Sequence, residues 1–411
     1  MLSVTIQLLL WEWLDFVVRW VHVITGIAWI GSSFYFIALD LGLRQNSSLP
    51  KGVKGEEWQV HGGGFYNIRK FMVAPEQLPE QLVWFKWESY STWLSGFFLL
   101  AIVYYGGAEL LLIDRFVLDI EPNIAITLSI GSLVLGWVLY NVICKFFERT
   151  NDTFLMIGLF VLLMGFSYAY CNIFSGRAAF IHIGALTATI MSANVFFIII
   201  PNQKIVVADL IAGRSPDEKY GIIAKQRSTH NNYLTLPVIF MMLSNHYPLS
   251  FGAQYNWLIA GLVFLMGVSI RHYFNMSHAR KVKPYWAWIV TFFLFFCVII
   301  LSTIRNPSVP GDDSSALSEK ISNKFVQVSL EEVSDIIVSR CAMCHANEPL
   351  WDGFFSPPGG IVLETHHDIV LNAKAIYLNS VMSNYMPPNN ISYMEPSERD
   401  LLREWFESTF Y

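Results

Sequence analysis

Apolar runs of about 20 residues, the length an α-helix needs to cross roughly 30 Å of hydrocarbon, recur along this chain and limit what it can fold into. Eight are legible: Phe16–Leu39, Trp84–Tyr105, Ile124–Phe147, Phe154–Phe174, Ala178–Ile200, Tyr233–Tyr247, Trp257–Phe274 and Tyr285–Ile304. The sixth is short and ends before Pro248. A bilayer offers no water to backbone amides, so such runs must be helical. The composition agrees, since 54% of the 411 residues are hydrophobic and only 14% charged, which excludes an ordinary soluble domain. The expectation is an all-α chain with an eight-helix transmembrane bundle over residues 1–304. Its N-terminus lacks a basic region, and Glu12 and Asp15 interrupt its apolar run, so no cleavable signal peptide is expected.

Charge divides the chain in two. Residues 310–411 carry 15 Asp and Glu against 6 Lys and Arg, whereas the first 309 carry 17 against 21. The tail reads as an acidic soluble module, and nothing in its balance suggests a nucleic-acid partner. "RNPSVPGDDSSALSEK" has the Pro, Gly, Ser and charge of a tether, giving an expected linker over 305–324 and a module over 325–411. Lys and Arg stay on the cytoplasmic side of a membrane. One set of loops carries sixteen, including Arg44, Lys145, Arg214, Arg227 and Arg271, while the other carries only Arg115 and Arg177. With eight spans, both termini and the acidic module fall on the non-cytoplasmic side.

The module contains "VSRCAMCHANEPLWDG". Cys341 and Cys344 are two residues apart and His345 follows directly. That is what covalent haem attachment requires: two thiols for the vinyl groups and an imidazole for the iron. Zinc would need two further ligands, but Cys144, Cys171 and Cys297 sit singly in distant apolar runs. A redox CxxC is the remaining alternative. A helix capped by Ser329, with Val333, Ile336 and Ile337 inward, leads into the cysteines, and "PSERDLLREWFEST" forms a second with Leu401, Leu402 and Trp405 inward. "NYMPPNN" holds Met386 between helices, in a loop stiffened by two prolines, as the expected sixth iron ligand beside His345; Met382 and Met394 are rivals. The module is therefore expected to be a small class I-type cytochrome c domain with covalent haem c. Covalent haem attachment outside the cytoplasm agrees with the loop charges and places the chain in a bacterial inner membrane with both termini periplasmic.

Polar residues at membrane depth are costly and point to function. In the first span Glu12, Asp15, Arg19, His22, Gly26 and Trp29 share a face expected to look into the bundle. His22, His182 and His246 fall at similar periplasmic depth, where they could ligate a non-covalent haem b, bind substrate or simply hydrogen-bond. The sixth span, "RSTHNNYLTLPVIFMMLSNHYP", opens with Arg227, His230, Asn231, Asn232 and Tyr233 and closes with Asn245 and His246, with Asn232 and His246 expected on one face. Amides donate and accept, which suits a planar polar heterocycle better than a metal. Asn194 lies at the neighbouring cytoplasmic end. These groups could instead satisfy a helix broken at Pro237.

Together "WVHVITGIAWIGSSFYF", "VHGGGFY", "WFKWESYSTWLSGF", "MSANVFFIIIPNQK", the sixth-span motif and the terminal "CAMCH…YMPP" resemble the membrane-bound bacterial urate oxidases that carry a fused C-terminal cytochrome c domain. That resemblance implies oxidation of urate to 5-hydroxyisourate, with electrons leaving through the c haem on Cys341, Cys344, His345 and Met386 rather than forming peroxide. A downstream soluble cytochrome c or terminal oxidase would receive them. The first span also resembles small membrane haem-b oxidases of the protoporphyrinogen oxidase type, which implies a b haem on His22. The urate ligands are read from the residues themselves: Arg227, His230, Asn231 and Asn232 for catalysis, with Asn194, Arg19, Tyr233 and Asn245 as further substrate contacts. The competing expectation is an electron-transfer subunit of a respiratory oxidoreductase with no substrate of its own; transport fits less well, since no internal repeat is visible.

Overall fold

The computed structural model describes residues 4–72, 78–147, 152–304, 328–351, 354 and 356–410. The expected linker lies outside these residues. The bundle comprises α1 (Val4–Gly42), α2 (Trp87–Leu100), α3 (Pro122–Phe146), α4 (Asp152–Cys171), α5 (Gly176–Ala193), α6 (Ile200–Ile211), α7 (Glu218–Leu243), a short α8 (Pro248–Phe251), α9 (Asn256–His278) and α10 (Trp286–Thr303). Wider π-helical turns continue α2 over Ala101–Tyr105 and join α5 to α6 over Asn194–Ile199.

Every expected span coincides with a helix, but among the described residues six helices rather than eight are long and apolar enough to cross a membrane. The two that fall short do so for different reasons. Helix α2 runs only 14 residues before its turns widen, and α7 begins with the charged segment Glu218–Arg227, well upstream of the expected start at Tyr233. The chain is also not all-α. Strands β1 (Val53–His61) and β2 (Gly64–Phe71) pair antiparallel between α1 and α2, with His61 opposite Gly64. The two-residue turn needs positive φ at both positions, and Gly62 at 60° and Gly63 at 77° supply it.

Hydrogen bonds between helices fix the directions. Ser129 and Tyr140 of α3 meet His182 and Asn194 near α5 in the same order, so α3 and α5 run parallel. Asn194 meets Asn231 and Arg177 meets Asn245, so α7 runs antiparallel to α5. Helix α5 is the centre of the core, with Phe180, Leu186 and Ile190 fully buried. Helix α10 exposes Ile289, Phe292 and Phe293, as a helix facing lipid tails should.

A second core is built wholly from residues of the tail, including Val333, Ile337, Leu402 and Trp405. Its elements are α11 (Leu330–Arg340), α12 (Ala342–His345), α13 (His366–Leu371), α14 (Ala373–Ile376) and α15 (Pro396–Phe410). Ser329 caps α11 through a reciprocal capping box with Glu332, as its sequence predicts. In α15 the inward residues are Leu402, Trp405 and Phe406; Leu401, expected inward, is 37% exposed because it lies 100° around the helix from Leu402.

Candidate functional site

Three consecutive residues of α7 organise the end of the bundle remote from the tail module. Successive helical side chains are turned by about 100°, so His230, Asn231 and Asn232 reach three different helices. His230 Nδ1 lies 2.8 Å from the Tyr140 hydroxyl of α3. Asn231 accepts from Asn194 Nδ2 at 3.1 Å and donates to the Met191 carbonyl at 2.9 Å. Asn232 Oδ1 accepts from Arg271 Nε of α9. All three are buried. Asn194, the first residue of the π-helical turn after α5, also donates to the Tyr140 hydroxyl at 3.0 Å.

One turn earlier on α7 stands Arg227, only 3% exposed. Its guanidinium lies over the Tyr140 ring, 4.9 Å from the centroid, and Nη2 donates to Asn141 Oδ1 at 2.9 Å. Its Nε and Nη1 have no hydrogen-bond partner among the described residues, nor do Oδ1 of Asn194, whose amide reaches the same Tyr140, and the indole nitrogen of Trp137, one turn before Tyr140 on α3. No carboxylate pairs with Arg227 there either. A buried cation without a counter-charge is costly, and free N–H groups next to a free amide oxygen match a ligand that is anionic and both donates and accepts. A second group lies across α7: Arg271, 4% exposed and 3.8 Å from the Phe34 ring centroid, leaves Nη2 unpartnered, as are Asn275 Oδ1 and His278 Nδ1 further along α9.

Other expected substrate contacts lie elsewhere. Tyr233 stacks on His272 and shares a hydrogen bond of 3.1 Å with it, so the ring beside Arg227 is Tyr140 instead. Arg19 is bonded to Asp15 on the same helix at 2.9 Å and stays half exposed, although His22, Gly26 and Trp29 of the same stripe do face inward, His22 and Gly26 toward α2 and Trp29 toward the core. Asn245 lies at the opposite end of α7, where it accepts from Arg177 at 2.9 Å and Tyr104 at 3.0 Å. Helix α7 ends at Leu243, so exposed His246 does not share a face with buried Asn232.

The three histidines expected at one depth do not share a set of partners. His22 Nδ1 faces the Thr92 carbonyl at 3.1 Å and Ser95 Oγ at 3.2 Å on α2. His182, fully buried, has Nδ1 2.7 Å from the Ala178 carbonyl, so Nδ1 donates and Nε2 carries the lone pair. That lone pair accepts from Ser129 Oγ at 2.7 Å, while the Phe174 ring packs 4.7 Å away and the Tyr105 hydroxyl adds a further bond to Ser129 at 2.8 Å. With both nitrogens engaged and rings closed around it, His182 does not fit an axial haem ligand.

In the tail module the geometry suits the c-type motif. His345 Nδ1 lies 2.9 Å from the Ile361 carbonyl, to which it must donate, leaving Nε2 with the lone pair that the expected iron ligand would need. Burial pushes the Cys341 thiol up to about 12. Met386 sits half-buried in its loop, its N–H donating to the Asn379 carbonyl at 2.8 Å and its carbonyl accepting from Arg399 at 2.9 Å. Burial lowers Arg399 to about 10, which leaves it charged at neutral pH as a clamp on that loop. Met394, a rival ligand, is packed in the module core at 2% exposure.

Sequence reasoning passed over Tyr140, Asn141, Trp137, Asn275 and His278. The signal for the α9 pair was present as an Arg271, Asn275, His278 stripe at helical spacing, but Arg271 had been counted among loop charges. No curated protein and no solved structure matches the chain. The sequence profile of the family described as Urate oxidase N-terminal matches residues 8–302, which include the whole far-end cluster and more than half of the 411 residues. The chain therefore belongs to the urate oxidase N-terminal family.

Proposed function

We propose that this chain is a membrane-integral urate oxidase that converts urate to 5-hydroxyisourate and sends the electrons to a covalent c-type haem in its tail module. The observation that carries the proposal is Arg227: a buried guanidinium with two free N–H groups, flanked by the free Asn194 oxygen, in a chain of this family. Urate is a planar monoanion with ring N–H donors and carbonyl acceptors, so it fits that polarity. Arg227 takes the charge, Asn194 and Asn231 read the ring edges, and the Tyr140 ring supplies an apolar wall. Asn232 is held by Arg271 and borders the same turn of α7.

The monoanion and one water give neutral 5-hydroxyisourate, one proton and two electrons. The Tyr140–His230 hydrogen bond is the proton-accepting pair at the site, with the hydroxyl able to pass a proton to His230 Nδ1. When bound through Cys341, Cys344 and His345, with Met386 as sixth ligand, haem c supplies a one-electron ferric–ferrous couple, so the electrons leave singly and no peroxide forms. A downstream soluble cytochrome c or terminal oxidase takes them on. In this reading the urate site lies at the cytoplasmic end and the module on the periplasmic side, with the helices embedded in the bacterial inner membrane.

The test is anaerobic addition of urate to purified oxidised protein while haem absorbance is followed. Reduction by urate, absent when its oxidised product 5-hydroxyisourate replaces it, supports the proposal; no reduction by urate in protein that dithionite reduces normally would reject it.

A further inference from the structure

The expected iron-ligand loop of the module is pressed against the bundle. Arg177, at the start of α5, donates from Nη1 to the Tyr385 hydroxyl at 2.7 Å and stands 5.8 Å from the centre of that ring. The same guanidinium donates from Nε to Asn245, which also accepts from Tyr104. Phe251 of α8 meets the Tyr385 ring edge to face at 5.3 Å, and Asn389 donates to the Glu109 carbonyl at 2.6 Å. A Cβ on Gly252 would overlap the Ser383 carbonyl, so only glycine lets the loop come this close. One seven-residue segment thus touches the turn before α3, the start of α5 and α8. Its other side is tied to the module by Arg399 through the Met386 carbonyl.

We propose that the Ser383–Asn389 loop is a latch that seats the module on the bundle within one chain, with Tyr385 as the positioning residue and Arg177, Asn245 and Phe251 as its socket. Docked in this way, the loop carrying the expected ligand Met386 faces the buried Tyr104–His182–Ser129 column of the bundle. Electrons from the membrane site then enter the module through this contact. A downstream acceptor must use another face of the module or wait for the latch to open. A cavity of about 410 Å³ between the Tyr385 loop and His246 leaves room for such opening. The electron-entry role rests on the urate oxidase proposal; the latch itself does not.

The experiment uses full-length protein in membranes with a protease recognition sequence inserted between Gly311 and Ser318. After cleavage, the wild-type module is expected to remain with the membrane pellet, and Arg177→Gln or Tyr385→Ala is expected to release it. A charged hydrogen bond is worth roughly one power of ten in the docked population. Before cleavage, Arg177→Gln and Tyr385→Phe should slow urate-driven haem reduction about tenfold, while Arg177→Lys should recover most of the rate. The haem spectrum and dithionite reduction should stay as in wild type. Tyr385→Phe keeps the ring against Phe251, so it reports the hydroxyl even where the alanine variant fails to fold. Release of the wild-type module, or equal retention and equal rates in every variant, would overturn the latch. Wild-type retention without any reduction by urate would reject the proposed function and leave the latch standing.

Discussion

The two ends of the bundle bury polar side chains in similar helical surroundings but treat them differently. At the module end the His182 nitrogens, Ser129 and the Tyr105 and Tyr170 hydroxyls are paired with one another or with backbone. At the far end Arg227, Arg271, Asn194 and Asn275 each keep an unpartnered atom although they are buried. In hydrocarbon an unmade hydrogen bond has no water to fall back on, so paired groups hold helices together and unpaired groups mark a place kept for a ligand. The first end reads as packing; the second is the proposed site.

The largest effect expected from this contrast is at Arg227. Methionine keeps much of the volume and removes the cation, so Arg227→Met should lower urate kcat/KM by at least roughly a hundredfold, from about 3 kcal/mol of lost charge pairing. In the same variant thermal unfolding without urate should be unchanged or higher, because a buried unpaired charge is gone, and urate should no longer raise the midpoint. A lower unliganded midpoint with normal kinetics would reverse the assignment of the two ends.

His182→Ala should show the opposite pattern. Removing a ring packed among Phe174, Tyr170 and Tyr104 leaves a cavity, at a cost of about 2–3 kcal/mol in unfolding, while KM for urate stays within twofold. A normal midpoint with lost urate affinity would place substrate at that end.

Asn231→Ala falls between, since Asn231 both borders the free Asn194 oxygen and ties α7 to α5. About tenfold lower kcat with a modest loss of stability is expected. Steady-state kinetics beside thermal unfolding separates the two parts, and Arg271→Met measured alongside reports whether the α9 side of α7 also holds the anion. The smallest effect belongs to Arg19→Ala, which breaks a half-exposed ion pair within α1. Less than about 0.5 kcal/mol in stability and no change in urate kinetics are expected.

The sequence made the helix positions legible because apolar length is a one-dimensional signal, and the same holds for the Ser329 cap and the Cys341–His345 motif. The far-end cluster was half legible. Arg227, His230, Asn231 and Asn232 stand together in one polar turn, whereas Tyr140, Asn141 and Trp137 look like ordinary members of an apolar helix until folding brings α3 against α7. The α1 stripe was legible in part: His22, Gly26 and Trp29 do turn toward α2 and the core, but periodicity does not show that Arg19, at the margin of that face, stays half exposed. The Gly62–Gly63 hairpin carried a strand-turn-strand signature that the search for membrane spans passed over. Residues whose role depends on a partner from a distant helix, such as Arg177 with Tyr385, have no local signature at all.

The most direct test of the central claim uses sealed membrane vesicles of known orientation. Urate is an anion that does not cross hydrocarbon readily, so it reaches only the outward-facing side. With the site at the end that opens α7, urate added to inside-out vesicles should reduce the haem of the enclosed module, and urate added to sealed right-side-out vesicles should not until they are permeabilised. Reduction in the right-side-out vesicles alone would place the urate site at the module end and contradict this account.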